Sequence, residues 1–161
     1  KPYVINLATE ELTPEKEHFK PYSIQAGKVS GRLMGGNVSL LAALAGTPFA
    51  FDATDKLLFM EDIDERPYSL DRMFTQLRQS ANLHKAKGLI LGVFEGCNPK
   101  KDEESLTLKE TIFDRLGDLN VPAVYGLSFG HVPNNFTLPV GILAELDTEN
   151  KTLTYLESPT A

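Results

Sequence analysis

The sequence predicts a single α/β domain. Short apolar runs suited to buried strands alternate with segments of helical spacing, and the chain closes on a hairpin pattern. Its 161 residues, 42% of them apolar and 24% charged, suffice for one sizeable core. No internal repeat or low-complexity segment interrupts this order.

Residues 1–22 are polar, with prolines at Pro14 and Pro21, and read as a linker or arm. The domain proper is expected over 23–161. "GKVSGRLMGGN" sets Val29, Gly31 and Leu33 in alternation, which predicts a strand ending in a glycine turn. Asn37 then suits the N-cap of a short helix, "VSLLAALAG", which Gly46 can end. "KLLFMED" is an apolar run that stops abruptly at carboxylates, as a buried strand does where its end meets solvent or a site. "SLDRMFTQLRQSANL" places Leu70, Met73, Phe74 and Leu77 on one helical face, with Ser69 as N-cap. "GLILGVF" is a second buried strand. "TLKETIFDRLGDL" carries Thr107 and Glu110 as a capping box, with Leu108, Ile112, Phe113 and Leu116 on one side. "PAVYGLSFG" is a strand that runs straight into His131. "VGILAELDTENKTLTYLE" is a hairpin turning near Glu149–Lys151.

Composition excludes several classes of function. Sixteen basic against 22 acidic side chains leave a net charge of −6, and no basic cluster follows an aromatic stripe, so no nucleic-acid partner is expected. No apolar run approaches the roughly 18 residues of a membrane span, and the N-terminus lacks the pattern of a signal peptide. One cysteine, Cys97, precludes an internal disulfide and fits a reducing, cytoplasmic setting. No H-x-x-x-H, C-x-x-C or acidic loop spacing suggests a metal, and no cofactor is expected. The start on Lys1, without Met, reads as a cut in something longer. Sequons at Asn37, Asn135 and Asn150 are read as chance occurrences.

The chemistry-bearing candidates lie at strand ends. His131 follows a strand and precedes the loop "VPNN"; catalytic groups in α/β proteins favour such positions, although a plain surface histidine would look the same. Glu61 and Asp62 end another strand, and a carboxylate beside a histidine fixes its tautomer and stabilises its cation. "EDIDE" offers several acids, of which Glu61 is preferred because it directly follows the apolar run. Solvated strand-end carboxylates are the plainer alternative. Cys97 lacks a nucleophile elbow and reads as inert. His18 and His84 read as surface residues. Ser128 lies three residues from His131 without a G-x-S-x-G context. The chain therefore offers a base and an orienting acid, but no convincing nucleophile.

"GRLMGGNVSLLAALAGTPF", "LLFMEDIDERPYSLDRMFTQL", "GLILGVFEGC" and "FGHVPNNFTLPVG", in this order, resemble the C-terminal domain of the LD-carboxypeptidases. These serine peptidases include the murein tetrapeptide carboxypeptidases and the microcin C immunity peptidases. The resemblance covers roughly Gly27 to Glu157. It implies a three-layer β/β/α swivelling-type domain and a Ser–Glu–His triad split across two domains, with the glutamate at Glu61 and the histidine at His131. The nucleophilic serine would lie on the chain's own N-terminal domain, which this sequence lacks, so the piece alone is expected to be inactive. The implied substrate is a muropeptide tetrapeptide met in cell-wall recycling, from which a terminal D-amino acid is removed. The rival readings are a microcin-immunity-like peptidase acting on peptidyl-nucleotides and a non-catalytic docking module. A homodimer is among the expected partners.

Overall fold

The computed structural model describes residues 3–6 and 20–160. Among these, eight strands form one mixed sheet: β1 (Tyr3–Asn6), β2 (Tyr22–Gln25), β3 (Lys28–Asn37), β4 (Lys56–Glu61), β5 (Gly88–Val93), β6 (Ala123–Gly130), β7 (Leu143–Asp147) and β8 (Thr152–Tyr155). Their order across the sheet is β1-β8-β7-β3-β4-β5-β6-β2. The centre, β3 to β6, is parallel. The flanking strands β7, β8, β1 and β2 pair antiparallel. Three helices supply the crossovers: α1 (Val38–Leu44), α2 (Pro67–Ser80) and α3 (Leu108–Leu116).

All three helices cover one face. Val38 and Leu41 of α1, Leu70, Phe74 and Leu77 of α2, and Ile112 and Leu116 of α3 share a core with Leu58, Met60, Leu89, Leu91 and Tyr125 of the sheet. The opposite face is covered by the sheet itself. Ala144, Leu146, Leu153 and Tyr155 of the terminal hairpin pack with Leu57, Phe59, Ile90 and Val124. The curl is tight: a Cβ on Gly88 of β5 would lie 3.1 Å from Cδ2 of Leu146, although β3 and β4 intervene in the sheet. The result is the expected α/β fold, with a helical layer, a parallel layer and a folded-over hairpin.

Several local expectations hold. Asn37 caps α1 by accepting from the Leu40 N–H. Thr107 and Glu110 close the capping box on α3. The hairpin turns between Asp147 and Thr152.

Others are corrected. β3 does not end in a glycine turn; it continues through Gly35 and Gly36 to Asn37. Glycine is needed because β4 presses against it: a Cβ on Gly35 would lie 1.8 Å from the Phe59 carbonyl oxygen. α2 starts at Pro67 with Arg66 as its cap, so Ser69 is inside the first turn and buried rather than capping. Proline suits that first position because its missing N–H would have no helical partner there. Phe113, expected on the buried side of α3, is 39% exposed and stacks on Tyr22. Within the segment expected to be a linker or arm, Tyr3–Asn6 forms an edge strand on β8; Pro14 and His18 lie outside the described residues.

Candidate active site

The end of β4 sorts its carboxylates by alternation. Leu58 and Met60 point to the helices, Leu57 and Phe59 to the other face. Glu61 follows the second set and Asp62 the first. Asp62 is 3% exposed and is fully engaged near the start of α1. Its carboxylate accepts from Asn37 Nδ2 (2.9 Å), the Ser39 N–H (2.9 Å), Ser39 Oγ (2.8 Å) and the Ile63 N–H (2.9 Å). Its role is thus structural. Asp64 turns away with φ 55°, its N–H bonded to the Glu95 carbonyl.

Glu61 meets His131. Glu61 Oε2 lies 2.8 Å from His131 Nδ1, although 70 residues separate them in sequence. The glutamate side chain is 12% exposed and the imidazole 49%. The anchoring acid is therefore held in the fold while the histidine faces outward. A carboxylate only accepts, so Nδ1 donates and Nε2 remains as the basic nitrogen. The pair lines a cavity of about 550 Å³. Phe59, Phe129, Phe136 and Leu138 supply apolar lining, and Asn135 and Thr137 supply polar groups. Phe59 and Phe129 meet edge to face at 5.9 Å.

The loop after His131 is tied down by groups that sequence reading did not single out for this. The Phe136 N–H donates to the Ser128 carbonyl at 2.8 Å. Asn135 Oδ1 accepts from the Gly130 N–H at 3.2 Å. Tyr155 Oη donates to the Thr137 carbonyl at 2.7 Å. Ser128 is buried, and its Oγ donates to the Asn134 carbonyl at 2.5 Å. That bond ties up the hydroxyl in holding the loop. The one available sequence signal was the density of Asn and Pro after His131, which marks a turn built on side-chain hydrogen bonds.

The remaining candidates lie elsewhere. Cys97 is fully buried in the helix-side core, on the face opposite Glu61. Burial pushes its thiol up to about 12. His84 is exposed in a short turn after α2. Among the described residues, no group of His, Cys, Asp and Glu is placed to hold a metal ion, and no helix is long and apolar enough to cross a membrane.

The family model of the LD-carboxypeptidase C-terminal domain matches residues 30–146. The chain belongs to the LD-carboxypeptidase family. A probable murein peptide carboxypeptidase of Bacillus subtilis is 42% identical over 144 residues, which is 89% of this chain and 43% of that protein. The murein tetrapeptide carboxypeptidase of Pseudomonas aeruginosa is 34% identical over 74% of this chain and 39% of its own length. The crystal structure of a muramoyltetrapeptide carboxypeptidase from Oxalobacter formigenes matches with a TM-score of 0.76 at 35% identity, over 88% of this chain and 50% of that one. The chain therefore spans less than half the length of these two curated LD-carboxypeptidase relatives.

Proposed function

We propose that this chain is the histidine–glutamate half of a serine L,D-carboxypeptidase that removes a terminal D-amino acid from muropeptide tetrapeptides. The observation that carries the reading is the 2.8 Å contact between His131 Nδ1 and Glu61 Oε2 on the wall of an open cavity. The names of the relatives support the substrate class.

The resemblance to serine peptidases implies a nucleophilic serine on the parent's N-terminal domain, in keeping with Ser128 being committed to the Asn134 carbonyl and Cys97 being buried on the face opposite Glu61. Glu61 holds the Nδ1–H tautomer of His131, so Nε2 takes the proton as the serine oxygen bonds to the scissile carbonyl carbon. The same proton passes to the leaving amine, the C–N bond breaks and the D-amino acid departs. Water then gives a proton to Nε2 as its oxygen bonds to the acyl carbon; the bond from that carbon to the serine oxygen breaks, the shortened peptide leaves as a carboxylate, and the serine oxygen takes the proton back from Nε2. We place this chemistry in the cytoplasm during cell-wall recycling, in keeping with a lone, reduced cysteine.

The test follows D-alanine released from a muropeptide tetrapeptide. The parent protein should turn over, and this chain alone should not. In the parent, His131→Ala should lower kcat by about 10⁶-fold, as loss of the base does in other serine hydrolases. Glu61→Gln should lower it by about 10⁴-fold through the wrong tautomer. Full activity in either variant, or turnover by this chain alone, would sink the proposal.

A further inference from the structure

His131 can reach Glu61 only if both side chains leave the sheet on the same face, and plain alternation along β6 forbids that. Ala123 and Tyr125 point into the helix-side core, with Val124 opposite. Continued alternation would carry residues 127, 129 and 131 to the helix side as well. Instead, Leu127 and Phe129 lie in the other core, with Leu57, Phe59 and Ile90. The strand therefore changes face at the residue between Tyr125 and Leu127.

That residue is Gly126, with φ 93°. The pairing with β5 slips at the same point: Leu91 stands opposite Tyr125, but Gly92 stands opposite Leu127. One extra residue on β6 is a bulge, and a bulge reverses which side chains face which core. A side chain would be strained at this φ, and its Cβ would lie 2.8 Å from the Pro21 Cα. Further slippage brings Val93 opposite Gly130. Gly130, with φ 110°, leaves the space that the carboxylate enters: a Cβ there would lie 3.0 Å from Glu61 Oε2.

We infer that Gly126 is a positioning residue of the site, whose bulge turns the end of β6 over and delivers His131 to the face that carries Glu61. Its catalytic consequence rests on the proposed peptidase reading; the face reversal itself does not.

The test separates the two. The chain is labelled with ¹⁵N, and the imidazole nitrogens of His131 are read by long-range ¹H–¹⁵N spectra where the ring is neutral. The wild type should show the Nδ1–H tautomer. Glu61→Ala should shift it towards the Nε2–H form, and Gly126→Ala should do the same while leaving Glu61 intact. Gly126→Asn should fall between, since Asn tolerates positive φ better than Ala. Should the alanine variant fail to fold, the asparagine variant carries the comparison. Wild-type cross-strand NOEs give an independent reading: Gly92 opposite Gly126 rather than Leu127 would overturn the inference, as would an unchanged His131 tautomer in a folded Gly126 variant. In the parent, Gly126→Ala should lower kcat by at least about 10²-fold at unchanged KM, the scale expected of a misplaced catalytic group. A lost tautomer without any peptidase activity in the parent would keep the positioning role and remove the peptidase reading.

Discussion

Glu61 and Asp62 are chemically alike and adjacent, yet the strand sends them to opposite faces, and their substitutions should separate accordingly. Asp62→Ala strips four hydrogen bonds from half-buried partners, three of them around the start of α1. It should cost about 3 kcal/mol, because four donors that turn inward to a buried carboxylate lose their partner together. Glu61→Ala should cost below about 1 kcal/mol, since among the described residues its side chain bonds only a half-exposed imidazole. Urea unfolding of both variants checks this, and equal losses would contradict it. The run "EDIDE" shows what was legible at this scale. Glu61 was preferred for sitting directly after the apolar run, but what decides its role is the face it shares with Phe59. Deciding that from sequence would have required knowing which of the two cores each residue of β4 enters.

Elements announced themselves where the signal was local. The capping box of α3 is written in Thr107 and Glu110, two residues within one turn that need no tertiary context. Thr107→Ala should lower stability by about 1 kcal/mol, measurable as a lower urea midpoint at unchanged slope. Where the determinant was a neighbouring strand, the sequence was silent or misread. "MGGN" looked like a turn, yet Gly35 is a strand residue kept bare by the Phe59 carbonyl. Gly35→Ala should therefore cost well above the roughly 1 kcal/mol of a typical substitution, and a variant of wild-type stability would show that β3 and β4 are not so closely pressed. β1 and β2 went unread because four-residue edge strands at the two ends of a sheet owe their state to distant partners, β8 and β6. The bulge in β6 was hidden for the same reason, since "AVYGLSFG" is an acceptable plain strand until its pairing with β5 is known.

At the scale of the molecule, the two faces of the sheet divide the work. The face wrapped by the hairpin opens at the carboxyl ends of the parallel strands and carries Glu61 and His131. The helix-covered face holds groups that resist ionisation. Burial pushes the Cys97 thiol up to about 12 and raises Tyr125 and Tyr22 well above the ordinary tyrosine range. These shifts make stability depend on alkaline pH in one direction. The unfolded chain releases its thiol proton from about pH 8.5 and its tyrosine protons near about pH 10, whereas the folded chain still holds them. Over that window the native state binds more protons than the unfolded state, so stability falls as pH rises. Below about pH 8 both states are protonated at these sites and the contribution is complete. The urea midpoint should thus stay level with respect to these groups up to about pH 8, decline from there, and drop more steeply beyond about pH 10. Cys97→Ala should remove the first part of the decline and leave the tyrosine part. In the native protein at neutral pH, a thiol reagent should modify Cys97 only as fast as the domain opens. A midpoint that holds constant through pH 11, or rapid labelling of the folded chain, would mean that the helix-side core admits water and that its three acids titrate as if exposed.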